Sequence, residues 1–307
     1  MQTIVITGGT GFVGGALAQA LLAKGYKVII LSRTKNNPPA TAGLHYAQWD
    51  VQKQYIDEEA IQKADYIIHL AGAGVADKRW TKKRKNEILQ SRIASSQLLV
   101  QALRTTNNKV KAVISASAIG WYGADVQMPN PVPFQEEAPP AHDFLGATCK
   151  QWEDSIAPVT HLQKRLVKLR IGIVLGKGAG AFHALQKPLK FGVAAILGSG
   201  KQTVSWIHLQ DLVNLFITAI ENENWGGVYN AVAPTPVANK ELIVDIAKAR
   251  KKFYIPFPVP SFLLKLMLGE MSIEVLKSTT VSAQKILQSG YRFIFPTIDK
   301  AADDLVK

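Results

Sequence analysis

Thr3-Ile4-Val5-Ile6-Thr7 is a short β-branched run with no charged interruption, the pattern of a buried strand. It breaks into Gly8-Gly9-Thr10-Gly11-Phe12-Val13-Gly14, after which Phe12, Leu17, Leu21 and Leu22 recur at helical spacing. Gly25 ends that helix, and residues 26–31 form a second buried strand closing on Ser32-Arg33-Thr34. Residues 44–49 read as a third strand ending in Asp50, and residues 64–70 as a fourth that runs into Ala71-Gly72-Ala73-Gly74. A long helix over 81–103 places Leu89, Ile93, Val100 and Leu103 on one face, with Thr81 as its cap. The fifth strand spans 109–115 and opens into Ala116-Ser117-Ala118-Ile119-Gly120-Trp121-Tyr122-Gly123. A helix over 144–156, a sixth strand over 167–175 and a glycine-rich stretch at 176–180 follow. Strands and helices alternating in this way predict an α/β fold built on a doubly wound parallel sheet, a Rossmann architecture.

The pattern changes after residue 180. A helix over 181–191, a loop with a short strand over 192–200, and Ser205-Trp206-Ile207-His208 leading into a helix over 209–220 come next. Asn239 is placed to cap a helix over 240–249, and short helices complete the chain. The expected organisation is a dinucleotide-binding domain over 1–176 and a smaller substrate-side lobe over 177–307, interleaved with the sheet around 201–235. Residues 124–141 are proline-rich and are expected to form a surface loop near the strand ends, a candidate lid.

Strand, glycine turn, helix is the context a dinucleotide site requires. Gly8 suits the tight turn, Gly11 lets a pyrophosphate approach the backbone, and Gly14 lets helix and strand pack closely. Thr10, Phe12 and Val13 complete the loop, and the first N–H groups of the helix face an anion. Where an acidic residue would hold the adenosine ribose, the second strand ends in Arg33, which suits a 2′-phosphate; NADP is therefore expected rather than NAD. Asp50 could accept from the adenine amino group or cap the next turn. Leu70, Ala71, Gly72 and Ala73 lie at a strand end, where open α/β sheets bind ligands. His69, inside an apolar strand, reads as a core residue.

Composition narrows the choice. The 307 residues are 47% hydrophobic, enough for a large core. The formal charge of +13 would suit nucleic acid or an anionic small molecule. The densest run, Lys82-Lys83-Arg84-Lys85, has no interleaved aromatic platform, so no nucleic-acid partner is expected. The longest apolar stretch, residues 253–268, is broken by Pro256, Pro258, Pro260 and Lys265, so it is a poor membrane span and no membrane partner is expected. One cysteine fits a reducing compartment, and no basic leader precedes the first strand; a soluble, cytoplasmic protein without a metal site is expected.

Several strings are more specific. Lys78-Arg79-Trp80-Thr81 with Arg84-Lys85, Ile88 and Ser91-Arg92 is one; Phe144-Leu145-Gly146 with Cys149 and Trp152-Glu153 is another. Leu169-Arg170-Ile171-Gly172 through Gly176, Ser205–Leu212, Tyr229–Pro234, and the tail strings Leu266–Met271, Gly290–Phe293 and Pro296-Thr297 complete the set. With them the chain resembles the extended short-chain dehydrogenase/reductases, and more narrowly the atypical group labelled NAD-dependent epimerase/dehydratase-like or "sugar nucleotide epimerase, cell division inhibitor" proteins.

The resemblance implies a serine at the end of strand five, followed by Tyr-x-x-x-Lys on the next helix, the tyrosine moving the proton and the lysine holding the nicotinamide ribose. Ser117 takes the serine's part, and Lys150 the lysine's, in catalysis and cofactor binding. The tyrosine position is then Gly146, leaving Tyr122 to substitute. Cys149 reads as packing. Arg92, Ser115 and Arg170 are implied to face the cofactor, and His208 is a candidate polar contact on the substrate side, with Asp211 complementing its helix dipole. The function expected is an NADP(H)-dependent oxidoreductase or nucleotide-sugar epimerase on a small, anionic or sugar-like substrate. The alternative is an NADP(H)-binding sensor or scaffold that has lost its chemistry. Oligomeric state is left open.

Overall fold

A computed structural model describes residues 1–34 and 41–307. The central sheet takes its strands in the order 227–231, 165–171, 112–118, 66–69, 3–7, 27–32, 44–50 and 55–56. Its first half comprises β1 (Thr3–Thr7), β2 (Lys27–Ser32), β3 (Leu44–Asp50), β4 (Tyr55–Ile56) and β5 (Tyr66–His69). β6 (Ala112–Ala118) and β7 (Arg165–Ile171) extend it on the other side. All neighbours are parallel except β4, which turns back on β3. Between the strands run α1 (Phe12–Ala23), α2 (Glu58–Lys63), α3 (Lys82–Thr105) and α4 (Phe144–Ile156).

Residues after 171 split between this sheet and smaller ones. β8 (Ile173–Leu175) pairs with β11 (Trp206–His208), while β9 (Val193–Leu197) pairs with β14 (Ile255–Val259). β10 (Thr203–Val204) pairs with β13 (Val237–Ala238), and β12 (Gly227–Ala231) returns to the central sheet as the neighbour of β7. The helices of this half are α5 (Gly180–Leu189), α6 (Leu209–Glu221), α7 (Asn239–Ala249), α8 (Ser261–Leu268), α9 (Ser272–Leu276), α10 (Gln284–Gln288) and α11 (Ile298–Leu305).

Period-two alternation explains the two core layers. Ile4 and Ile6 face Leu17 and Leu21 of α1 and the apolar stripe of α6, whereas Val5 faces Ile61 of α2 and Leu99 of α3. A sheet covered on both faces needs continuous apolar runs, which is why β1, β2 and β5 are so plain in the sequence. Thr81 caps α3 as expected, its hydroxyl accepting from the Arg84 N–H.

Other expectations need correcting. The expected sixth strand is two, because Gly172 meets the Ser205 carbonyl so closely that a Cβ would lie 2.7 Å from it; there the chain leaves one sheet for another. β6 continues to Ala118 rather than stopping at Ser115, since small residues are needed where it is buried on both sides. Asn239 does not cap α7; its Oδ1 accepts from the Leu197 N–H. Nor is the 124–141 segment free to act as a lid. Phe134 bonds through both its backbone groups to Thr280 and Ser282, Asp125 donates to Ser278, and the Phe134 ring stacks on Tyr122 at 5.2 Å.

Candidate functional site

The loop between β1 and α1 is built around its glycines. Gly8 sits at φ +71° and its carbonyl accepts from the Gly11 N–H at 3.0 Å. A Cβ on Gly14 would fall 2.3 Å from that same carbonyl oxygen, so α1 starts pressed against the turn. Thr10 and Gly11 are exposed at its rim, with Val13 half-buried behind them. The Phe12 ring turns away toward Gly176 and Gly180, where added Cβ atoms would lie 2.7 and 3.2 Å from it.

β1 and β5 are locked together at their C-terminal ends, where the sheet order reverses direction. The Thr7 hydroxyl accepts from the Leu70 and Ala71 N–H groups at 3.1 and 3.2 Å and bonds the His69 Nδ1 at 2.8 Å. The other His69 nitrogen meets the Ser96 hydroxyl, and burial pulls the imidazole down to about 4, so it stays neutral. His69 is therefore a structural link, as the sequence suggested.

Beyond β5, Ala73 accepts from Arg92 Nη1 at 3.0 Å, and its N–H donates to Ser91. The Arg92 guanidinium lies over Trp152, 4.9 Å from the ring centroid, and within 3.2 Å of where a Gly72 Cβ would stand. Its bonded oxygens are the carbonyls of Ala73 and Ile88, and burial lowers its pKa. Gly72 is exposed beside it, at the strand end. On the adenosine side, Arg33 is exposed at the end of β2. Asp50 takes the capping role: its carboxylate accepts from the Gln52 and Lys53 N–H groups at 3.0 and 3.1 Å.

Ser117 and Tyr122 are brought together, but inside a buried charge network rather than at an open centre. The Ser117 hydroxyl donates to Glu153 Oε1 at 2.8 Å, and Arg170 clamps both Glu153 oxygens at 2.8 and 3.2 Å. Lys168 adds a second cation at 3.2 Å. Arg170 also donates to the Tyr122 hydroxyl at 2.9 Å, which in turn donates to Asn230 Oδ1 at 2.6 Å, and its plane covers the Trp121 ring at 3.7 Å. Arg170 and Glu153 are only 2% and 4% exposed. Burial alone would raise Glu153, but the bonds and charges from Arg170, with Lys168 and Ser117, outweigh it and hold the carboxyl below its ordinary range. Burial pushes the Tyr122 phenol up to about 12 despite Arg170. The expectation that Arg170 faces a cofactor is thus corrected, since its donors go to Glu153, Tyr122 and the Glu136 carbonyl. Ser115, also buried, donates to the Ala116 carbonyl.

The helix register of α4 is corrected too. A Cβ on Gly120, in the 3₁₀ turn after β6, would meet Leu145 Cβ at 3.1 Å and Cys149 Sγ at 3.7 Å. Positions 145 and 149, one turn apart, therefore look at the end of β6. Gly146 abuts the Ala141 carbonyl, 2.2 Å from an imagined Cβ, so no side chain fits there. Lys150 lies on the solvent side, its side chain 54% exposed and paired with Asp154. Cys149 is buried beside Arg92 and burial raises its thiol to about 12, so it stays protonated and a poor nucleophile. His208 stacks on Phe295 at 3.9 Å and caps α6 through its Nδ1, while Asp211 binds the Ile294 and Phe295 N–H groups; both are structural. Glu153, the centre of the network, was visible only as part of a string; its one-turn offset from Cys149 was the available signal.

Comparison with known proteins agrees with this architecture. A model of the NAD-dependent epimerase/dehydratase family matches residues 4–231, and one of a domain of unknown function (DUF1731) matches 259–305. The epimerase family protein YfhF of Bacillus subtilis is 33% identical over 305 residues, covering 99% of this chain and 98% of that protein. A Staphylococcus aureus epimerase family protein is 33% identical over 312 residues, the full length of both. Among solved structures, human epimerase family protein SDR39U1 with NADPH superposes with a TM-score of 0.87 at 27% identity over 99% of each chain. A UDP-glucuronic acid 4-epimerase of Bacillus cereus, with UDP-glucuronic acid and NAD, shares the fold at a TM-score of 0.78 and 20% identity, over 99% of this chain and 98% of that one. Among the described residues no helix is long and apolar enough to cross a membrane, and no cluster of side chains could hold a metal ion.

Proposed function

Because the chain belongs to the NAD-dependent epimerase/dehydratase family, we propose that it holds NADP(H) across the ends of β1, β2 and β5 and meets a small anionic, sugar-nucleotide-like molecule there, with turnover weak or absent. The glycine cradle supports the cofactor: Gly14 and Gly8 pack the loop so tightly that the helix N-terminus and its N–H groups are left for a pyrophosphate. Arg33 would take the 2′-phosphate, and the exposed Gly72 with Ala73 would let the nicotinamide half lie against backbone. Arg92 is the cation nearest that end, and it would stand in for the lysine that α4 does not aim inward. NADPH in the human relative supports the choice of the phosphorylated cofactor. When bound, NADP(H) supplies a carbon that gives or accepts a hydride.

The observation that carries the reading of weak turnover is the pair Leu145 and Cys149. These are the α4 positions that look at the strand end, and neither moves a proton at neutral pH. Tyr122 and Ser117 are occupied by Asn230, Arg170 and Glu153. General acid/base help is worth roughly 10²–10⁴-fold, so NADPH oxidation with aldehydes, ketones and nucleotide sugars should stay near background. Brisk turnover on any of them would overturn this part of the proposal.

The cofactor part is tested separately by titration calorimetry. NADPH should bind more tightly than NADH, and Arg33→Ala should erase the difference by removing a charge-assisted bond worth roughly 1.5–3 kcal/mol. Equal affinity of the wild type for the two cofactors would refute it.

A further inference from the structure

The outer face of the β9–β14 pair is wholly apolar. Parallel register places Ile255 beside Val193, Phe257 beside Ala195 and Val259 beside Leu197, with all six side chains on one side. The opposite side sends Ala194 and Ile196 into the core. On the outer side Ile255 and Phe257 remain 56% and 54% exposed. Close by in the chain, Phe253 before β14 and Phe262 and Leu266, one turn apart on α8, are all more than two-thirds exposed. Large apolar side chains grouped in this way mark an interaction surface rather than scattered exposure.

Two features decide what covers it. The free edge of β14 cannot accept another strand. The Ile255 N–H donates to Gly192 and the Val259 carbonyl accepts from Gly198, so the odd-numbered residues bond toward β9. The outward positions are Pro256 and Pro258, which have no N–H to offer. The second feature is charge. Residues 181–204 contain Lys187, Lys190 and Lys201 and no acidic residue; residues 250–269 contain Arg250, Lys251, Lys252 and Lys265 and again none. The carboxylates that follow are already engaged, Glu270 with Lys85 at 2.8 Å and Glu274 with Lys277 at 2.8 Å. A second copy seated here would bring like charges, the exposed Lys251 and Lys252 among them, against one another. An anionic partner is favoured instead, and aromatic side chains between lysines are the composition of a surface that sits at the headgroup boundary of a bilayer.

We propose that this face of the C-terminal half docks reversibly on an anionic lipid membrane, with Phe257 and Phe262 entering the acyl boundary and Lys251 and Lys252 meeting the headgroups. No spanning segment is required, and the inference does not rest on the cofactor reading. Each lysine near an anionic surface favours association about fivefold, and salt screens that part.

The full chain would be floated with vesicles of phosphatidylcholine alone and of three parts phosphatidylcholine to one part phosphatidylglycerol. Binding to the anionic vesicles should be at least tenfold tighter and should weaken in high salt. The double variant Phe257→Ser/Phe262→Ser should lose about tenfold or more on the anionic vesicles with unchanged thermal unfolding, since both rings are exposed. Lys251→Ala/Lys252→Ala should lose the preference for phosphatidylglycerol. Absence of binding to anionic vesicles at low salt, or equal binding by the serine variant, overturns the proposal. A dimer in sedimentation that the serine variant dissolves overturns it as well, and assigns the face to a second copy.

Discussion

Glu153→Gln should cost roughly 3–5 kcal/mol in unfolding free energy, the cost of breaking a buried ion pair by removing one partner. The wild-type carboxylate, only 4% exposed, balances Arg170 and Lys168 and accepts from Ser117. An amide keeps the shape but leaves two cations against one another, and one of its two positions turns from acceptor to donor. Urea unfolding at neutral pH measures the loss. The pH dependence gives an independent check. The Glu153 carboxyl titrates lower folded than unfolded, so its stabilisation is fully present above the unfolded value and is lost as pH falls through the lower folded one. The gap between wild type and variant should thus be constant near neutrality and close in strong acid. A variant as stable as wild type at neutral pH would mean that the network is loosely held or hydrated.

The second large effect is at Gly14. Alanine there places a methyl 2.3 Å from the Gly8 oxygen and 2.7 Å from the Gly9 Cα, and backbone cannot swing aside as a side chain can. Overpacking in yielding cores costs about 1–3 kcal/mol; here the upper end or more is expected, which is about a hundredfold if it appears in NADPH affinity. Gly11 makes an informative control. Its added Cβ would meet only the Gly8 oxygen, at 3.3 Å, and Gly11 is exposed. Gly11→Val should therefore unfold at nearly the wild-type temperature yet lose NADPH, whereas Gly14→Ala should lower both. Native NADPH affinity in a folded Gly11→Val protein would mean that the loop is only a turn.

These two sites differ in how far the sequence discloses them. Gly11 and Gly14 act through contacts with Gly8 and Gly9, a few residues away, and a strand on one side and an apolar-periodic helix on the other fix their context. The strands buried on both faces were legible for the same reason. Arg170 and Glu153 meet across different elements, and nothing in either local pattern says that an arginine on a strand will turn inward to a helix. The register of α4 is obscure in the sequence because Gly146-Ala147-Thr148-Cys149 carries little hydrophobic contrast, and Lys150 stands one residue away from the face that counts. The end of β6 is hidden in the sequence because Ser115-Ala116-Ser117-Ala118 has the small residues of a turn, required here by close packing on both sides.

The place of β12 in the central sheet has a consequence for how the chain is made. β12 lies beyond β7 at one edge, and Asn230 on it receives the Tyr122 hydroxyl bond, yet it is drawn from residues 227–231. While the protein is being synthesised, β7 must emerge from the ribosome and wait for more than fifty further residues before its neighbour exists. In that interval its edge is open and the Arg170 side of the network lacks its last acceptor. A nascent chain stalled between these strands would hold a complete nucleotide loop beside an unfinished sheet, so binding competence at the N-terminal end could be gained earlier in synthesis than resistance to proteolysis.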